Sequence, residues 1–159
     1  HNCVCFTETP VRALNGGSLT DTSGYGKYSK YGIATTKKLF FQLGGRPVIY
    51  QLSIEYDNLY ESNNWRHMTY EPDLNQYPTD FTWEREWRIK AHHVAINPAD
   101  YKIVVPNDEI KYNFLFKHQS LRLKEAVRLL MDENQYTIPS ELEFDVLSFD
   151  ELEKLGEGQ

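Results

Sequence analysis

Asp80-Phe81-Thr82-Trp83-Glu84-Arg85-Glu86-Trp87-Arg88-Ile89 is the stretch on which the reading of this chain turns. Successive side chains of a strand point to opposite faces. Read as one strand, the stretch puts Phe81, Trp83, Trp87 and Ile89 on one side, with Arg85 the charged residue among them. Thr82, Glu84, Glu86 and Arg88 fall on the other. The aromatic side is expected to be core. The charged side holds two carboxylates at i and i+2, within reach of each other and of a guanidinium.

Working outward, Cys3 to Glu8 suits a strand closed by Thr9-Pro10, and Val11 to Leu14 a helical turn broken by Asn15-Gly16-Gly17. Leu19 to Lys30 is a polar, Tyr- and Gly-rich loop, followed by a strand from Tyr31 to Thr36. Thr36 is placed to cap a short helix over Lys37 to Leu43 that ends at Gly44-Gly45. Arg46 to Tyr56 alternates as a third strand, with Val48, Tyr50, Leu52 and Ile54 on one face. Asp57 to Asp80 is a long polar excursion with room for a helical piece. Beyond the carboxylate stretch, His92 to Ile96, Tyr101 to Val105 and Tyr112 to Phe116 read as short strands, with turns at Asn97-Pro98 and Pro106-Asn107. Ser120 to Asn134 is the clearest helix. Phe144 to Phe149 reads as a strand, and Ser148-Phe149-Asp150-Glu151 as a capping box opening a short acidic helix. The fold class is α+β, a mostly antiparallel β core with one or two flanking helices. One domain over residues 1–159 accommodates this pattern. The chain opens inside a strand, so the reading allows for residues upstream of His1.

The chain has 159 residues, a net charge of −6 and 11 Tyr and 8 Phe. The acidic balance argues against a general electrostatic grip on nucleic acid, though a local basic groove stays open. No apolar run has the length of a membrane span, and the expected setting is the cytoplasm. Cys3 and Cys5 are expected to diverge and not to bridge, and they are too few for a thiolate metal site.

The Glu84/Glu86 pair has three readings. It is a solvated strand face, salt-bridged to Arg88 or a neighbour. It is a metal site completed by His92-His93, although adjacent histidines on a strand point apart. Or it is a catalytic pair, one carboxylate holding a ribose hydroxyl and favouring an oxocarbenium-like transition state while its neighbour orients the nucleophile. Tyr25, Tyr28 and Tyr31, interleaved with Lys27 and Lys30, either stack a base or pack the loop onto the core. Glu8 ends its strand either in a site or in a turn. His92, His93 and His118 have no nucleophile at a recognisable spacing.

Cys5-Phe6-Thr7-Glu8-Thr9-Pro10, Tyr31-Gly32-Ile33, Arg46-Pro47-Val48-Ile49-Tyr50 and Glu84-Arg85-Glu86-Trp87-Arg88 occur in an order that resembles the abortive phage-resistance family called AbiGi. The resemblance covers about residues 3 to 90; the family's antitoxin label implies a cognate protein partner. More distantly, the Glu-x-Glu strand resembles that of ADP-ribosyltransferases, whose second Glu holds the nicotinamide-ribose hydroxyl as the glycosidic bond of NAD breaks. What this implies is an ADP-ribosyltransferase-like core acting on NAD or a related nucleotide. Glu86 is then the catalytic residue and Glu84 the one that orients the acceptor; Thr7, Tyr31 and Arg88 support the nucleotide, and no metal takes part. Those enzymes carry Arg or His on an early strand. Here that strand has no internal Arg, and His1 is the residue that could serve.

Overall fold

A computed structural model describes residues 2–15, 29–73, 78–131 and 144–156. Along the chain run β1 (Val4–Thr7), α1 (Val11–Asn15), β2 (Gly32–Ala34), α2 (Lys37–Gln42), β3 (Arg46–Pro47) and β4 (Ile49–Gln51). They are followed by β5 (His67–Thr69), β6 (Glu86–Ile89), β7 (Lys102–Val105), α3 (Asp108–Met131), β8 (Val146–Ser148) and α4 (Phe149–Gly156). Short 3-10 turns occupy Ser53–Asn58, Asn64–Arg66 and Thr82–Glu84. The structure is thus α+β, built on small antiparallel-rich sheets with a few helices. Among the described residues two of five strand pairings, β4 with β5 and β7 with β8, are parallel. No helix among the described residues is long and apolar enough to cross a membrane.

The chain clusters into two compact units, His1–Pro10 with Thr36–Ala95, and Val11–Thr35 with Ile96–Gln159. In the first, β6 is the middle strand of a sheet ordered β1-β6-β3, and β4 and β5 form a separate two-stranded ribbon. Phe6 of β1 meets Phe40 of α2, ring centroids 4.5 Å apart, so α2 covers the apolar face of that sheet. Thr36 caps α2 as expected, its side chain accepting the Leu39 N–H at 3.2 Å. The helix stops where Gly44 takes φ 97°, a conformation that glycine adopts without a Cβ clash. Gly45 then lies so close to Phe40 that a Cβ would sit 2.3 Å from its ring.

In the second unit β7 lies between β2 and β8. Among its described residues Tyr101, Val105 and Ser148 are the most fully buried side chains. The capping box is present: the Ser148 N–H donates to Glu151 Oε2 at 2.9 Å, and the Glu151 N–H donates to Ser148 Oγ at 3.3 Å. Glu151 also accepts from Lys111 of α3 at 2.7 Å, tying the two helices together.

Several expected strands differ. The stretch from Asp80 to Ile89 is a strand only from Glu86. Asp80 Oδ1 accepts both the backbone N–H of Thr82 at 2.9 Å and its hydroxyl at 2.6 Å, an Asx turn that winds Thr82–Glu84 into a 3-10 turn. Arg85 follows in the left-handed region, φ 46°. Phe81 and Trp83 are consequently exposed rather than core, while Ile89 is buried and Trp87 half-buried. The strand expected from Arg46 to Tyr56 is instead β3 and β4, which belong to different sheets, and β4 ends at Gln51, where Glu55 turns back to accept the Leu52 N–H at 2.9 Å; Leu52 and Ile54 are exposed. His92 to Ile96 forms no strand. Tyr112 to Phe116 is helical, because Asn107 Oδ1 accepts the Ile110 N–H at 2.9 Å and starts α3 twelve residues early. Cys3, just ahead of β1, and Cys5 remain free thiols but do not diverge: both lie close enough to Arg88 to act on its charge.

All three tryptophans, Trp65, Trp83 and Trp87, belong to the first unit, so tryptophan fluorescence reports its unfolding alone. Gly45→Ala is expected to lower the urea midpoint of that signal by a loss of about 1–3 kcal/mol, from the clash with Phe40. Gly32→Ala, whose added Cβ meets nothing within 4 Å, should leave the circular-dichroism melt unchanged.

Candidate functional site

Antiparallel pairing sets Thr7 opposite Glu86 and Cys5 opposite Arg88. Directly opposed residues share a face, so these four form one polar patch on the sheet. At its centre Arg88 Nε donates to Glu86 Oε1 at 2.8 Å, and Nη2 donates to Oε2 at 3.1 Å. This is the two-pronged geometry that a planar guanidinium favours. Arg88 Nη1 donates to the carbonyls of Trp65, at 3.2 Å, and His67, at 2.8 Å, while Nη2 also reaches Met68 Sδ at 3.9 Å. These five contacts match the five N–H groups of the guanidinium. Glu86 itself is 6% exposed.

The surroundings follow from that pair. Burial works against the charge of Arg88, but the Glu86 carboxylate outweighs it and holds the guanidinium pKa above its ordinary value. Desolvation of the Cys5 thiol, then its hydrogen bond to Glu86, pushes that thiol up to about 11. It is protonated at neutral pH and a poor nucleophile. Tyr50 Oη accepts the Glu86 N–H at 3.3 Å and donates to the Phe81 carbonyl at 3.0 Å. Its hydroxyl is raised by burial and by the charges of Glu86 and Glu84. The tyrosine so links β4 to both ends of the turn.

Glu84 is half-buried, and it ends the 3-10 turn rather than lying on the strand. Left-handed Arg85 separates it from Glu86, so the alternation expected to pair the two carboxylates does not operate there. Thr7 is on the Glu86 face, but its hydroxyl donates to the Glu84 backbone carbonyl and accepts the Thr9 N–H at 3.0 Å. Thr9, buried, donates to the Trp83 carbonyl at 2.6 Å. These two hydroxyls pin the turn to β1. Tyr31 belongs to the second unit, where it is exposed and its N–H donates to Ser29 Oγ at 3.1 Å. Tyr25, Tyr28, Lys27 and His1 lie outside the described residues. Among the described residues no group of three His, Cys, Asp or Glu side chains could hold a metal ion.

A second cluster centres on Glu8, which the sequence left between a site and a turn. Its Oε1 accepts from Lys37 at 2.7 Å and from Arg85 at 3.4 Å, and its Oε2 accepts the Trp87 indole N–H at 2.8 Å. Lys37 also stands 6.0 Å from the centroid of the Trp87 ring. Burial tends to raise the Glu8 pKa, but the hydrogen bonds from Lys37 and Trp87 overcome it and leave it below the ordinary carboxylate value. No sequence motif flags the Trp65 and His67 carbonyls, whose roles come from position alone, and Tyr50, although it ends the Arg46-Pro47-Val48-Ile49-Tyr50 stretch, had no site role assigned by it.

Two outcomes follow. Arg88→Met leaves a buried carboxylate unpaired and is expected to cost the first unit about 3–5 kcal/mol in a fluorescence-monitored urea titration, with most of it recovered in Glu86→Leu/Arg88→Met. Glu8, with its folded pKa lowered, is protonated more readily in the unfolded chain. Its contribution is therefore present above the ordinary carboxylate value of 4.5 and lost as pH falls through the lower folded value. The Tm difference between the protein and Glu8→Gln should accordingly shrink towards the acid end of a series from about pH 6 to pH 2. Comparison of the chain with family models, with curated proteins and with solved structures returns no match.

Proposed function

We propose that the protein is a non-enzymatic interaction module of the antitoxin or sensor kind, acting in the cytoplasm in an abortive-infection setting, and that the Glu86 strand serves its fold. The observation that carries this reading is the engagement of both oxygens of the buried Glu86 by the half-buried Arg88. A carboxylate that holds a ribose hydroxyl or balances an oxocarbenium ion must turn an oxygen to the substrate. Turning Glu86 outward would strand the Arg88 guanidinium, a penalty of several kcal/mol that substrate binding would have to offset.

One observation favours a second reading. Thr7 and Glu86 oppose each other in one sheet, with Arg88 on the same face and Glu84 at the adjoining turn. Four of the five residues implied by the ADP-ribosyltransferase resemblance are thus neighbours. On this reading Glu86 leaves Arg88 to bind NAD and Glu84 orients the acceptor.

The two readings part in one experiment. The purified chain and Glu86→Gln are incubated with NAD and candidate protein and nucleic-acid acceptors. Nicotinamide release is measured, NAD binding is followed by calorimetry, and circular dichroism checks folding. No release and no heat from either protein is the expected result. Release by the unsubstituted protein that a folded Glu86→Gln loses would hand the function to the NAD reading.

A further inference from the structure

The helix α3 carries an apolar stripe that, among the described residues, stands exposed. Tyr112, Phe116, Leu123 and Val127 stand at i, i+4, i+11 and i+15, which places them within about 60° of arc over about 22 Å of helix. They are between 48% and 67% exposed. Tyr112 and Phe116 stack with centroids 6.1 Å apart, so the stripe begins as a flat aromatic shelf. It is not the face by which α3 holds its unit: the helix packs on β7 and β8, and Leu115, His118 and Arg122 form a separate half-buried row.

Charge selects the occupant. Phe116-Lys117 and Leu123-Lys124 repeat seven residues apart, so both lysines lie along one flank of the stripe. Both are exposed, and neither has an ion-pair partner among the described residues. A second copy pairing antiparallel through the stripe would set Lys117 of one chain against Lys124 of the other, like charge on like. An anionic membrane would have to accept a chain whose net charge is −6. A helix with leucine-like anchors and acidic flanks meets both the apolar and the basic requirement.

We propose that this α3 stripe is the docking seat for an acidic amphipathic helix of a partner protein. The proposal rests on the interaction-module reading and names the chemistry of the partner.

The probe is a synthetic helix of about three heptads, with leucine at a and d and glutamate at e and g, set against a twin carrying lysine in place of glutamate. Binding of each to the full chain is followed by fluorescence anisotropy at low and high salt. The glutamate helix is expected to bind at least about tenfold more tightly than its twin, and to weaken with salt. Lys117→Glu/Lys124→Glu, both surface substitutions, should reverse that preference, and Leu123→Asp should abolish binding of both helices with the circular-dichroism melt retained. Equal binding of the two helices, no binding of either, preferential binding to phosphatidylserine vesicles, or a dimer in light scattering that Leu123→Asp dissolves would each overturn the proposal. Nicotinamide release is read in the same samples. Turnover of NAD refutes the module reading, whereas absent turnover with absent helix binding refutes the acidic-helix seat alone.

Discussion

The buried pair of Glu86 and Arg88 is the interaction on which the first unit depends. It sits on the middle strand of the β1-β6-β3 sheet. It is also the point where that sheet meets the chain around β5, through the carbonyls of Trp65 and His67. Burying two opposite charges gives little net stability by itself, because desolvation offsets most of their attraction. The geometry gives specificity instead. Slipping β6 by one residue would turn Glu86 and Arg88 to the α2 side and Trp87 to the polar side.

Around that pair, polar side chains are used to hold backbone in places where neither strand nor helix can satisfy it. Asp80, Thr7, Thr9 and Tyr50 all bond to the backbone of the Asp80–Glu86 turn. Left-handed Arg85 costs on the order of 1–2 kcal/mol, and this dense set of bonds fixes it there. A segment carrying Asp, Thr, Glu and Arg therefore looks like a reaction centre from its composition, while many of its polar atoms are engaged in holding a turn.

Elements set by neighbours in the chain were legible. Thr36 with the glycines after Leu43 defined α2, and Ser148 with Glu151 defined the start of α4. The Asx turn at Asp80 and the Asn107 cap were equally local and were outweighed by aromatic and β-branched residues that suggest strands. Tyr112 to Phe116 is the clearest instance, for strand propensity is a weak preference once a cap and a packing face favour helix. Parallel pairing of β4 with β5 and β7 with β8 carries no short-range signature, since the partner lies 18 residues away in the first case and 43 in the second.

By itself the sequence determined that this is an acidic α+β chain, that Arg88 has a carboxylate to pair with, and where several of its helices begin. The tertiary structure decided which carboxylate, and what became of it. Glu86 rather than Glu84 takes Arg88 because the strand starts at Glu86, and it starts there because Asp80 bends the preceding residues away. The acceptors that complete Arg88 are main-chain carbonyls more than twenty residues distant, which any side chain can supply and no motif records. The exposure of the α3 stripe was likewise beyond the sequence: it became visible only once a single helix ran through what had read as a strand and a separate helix.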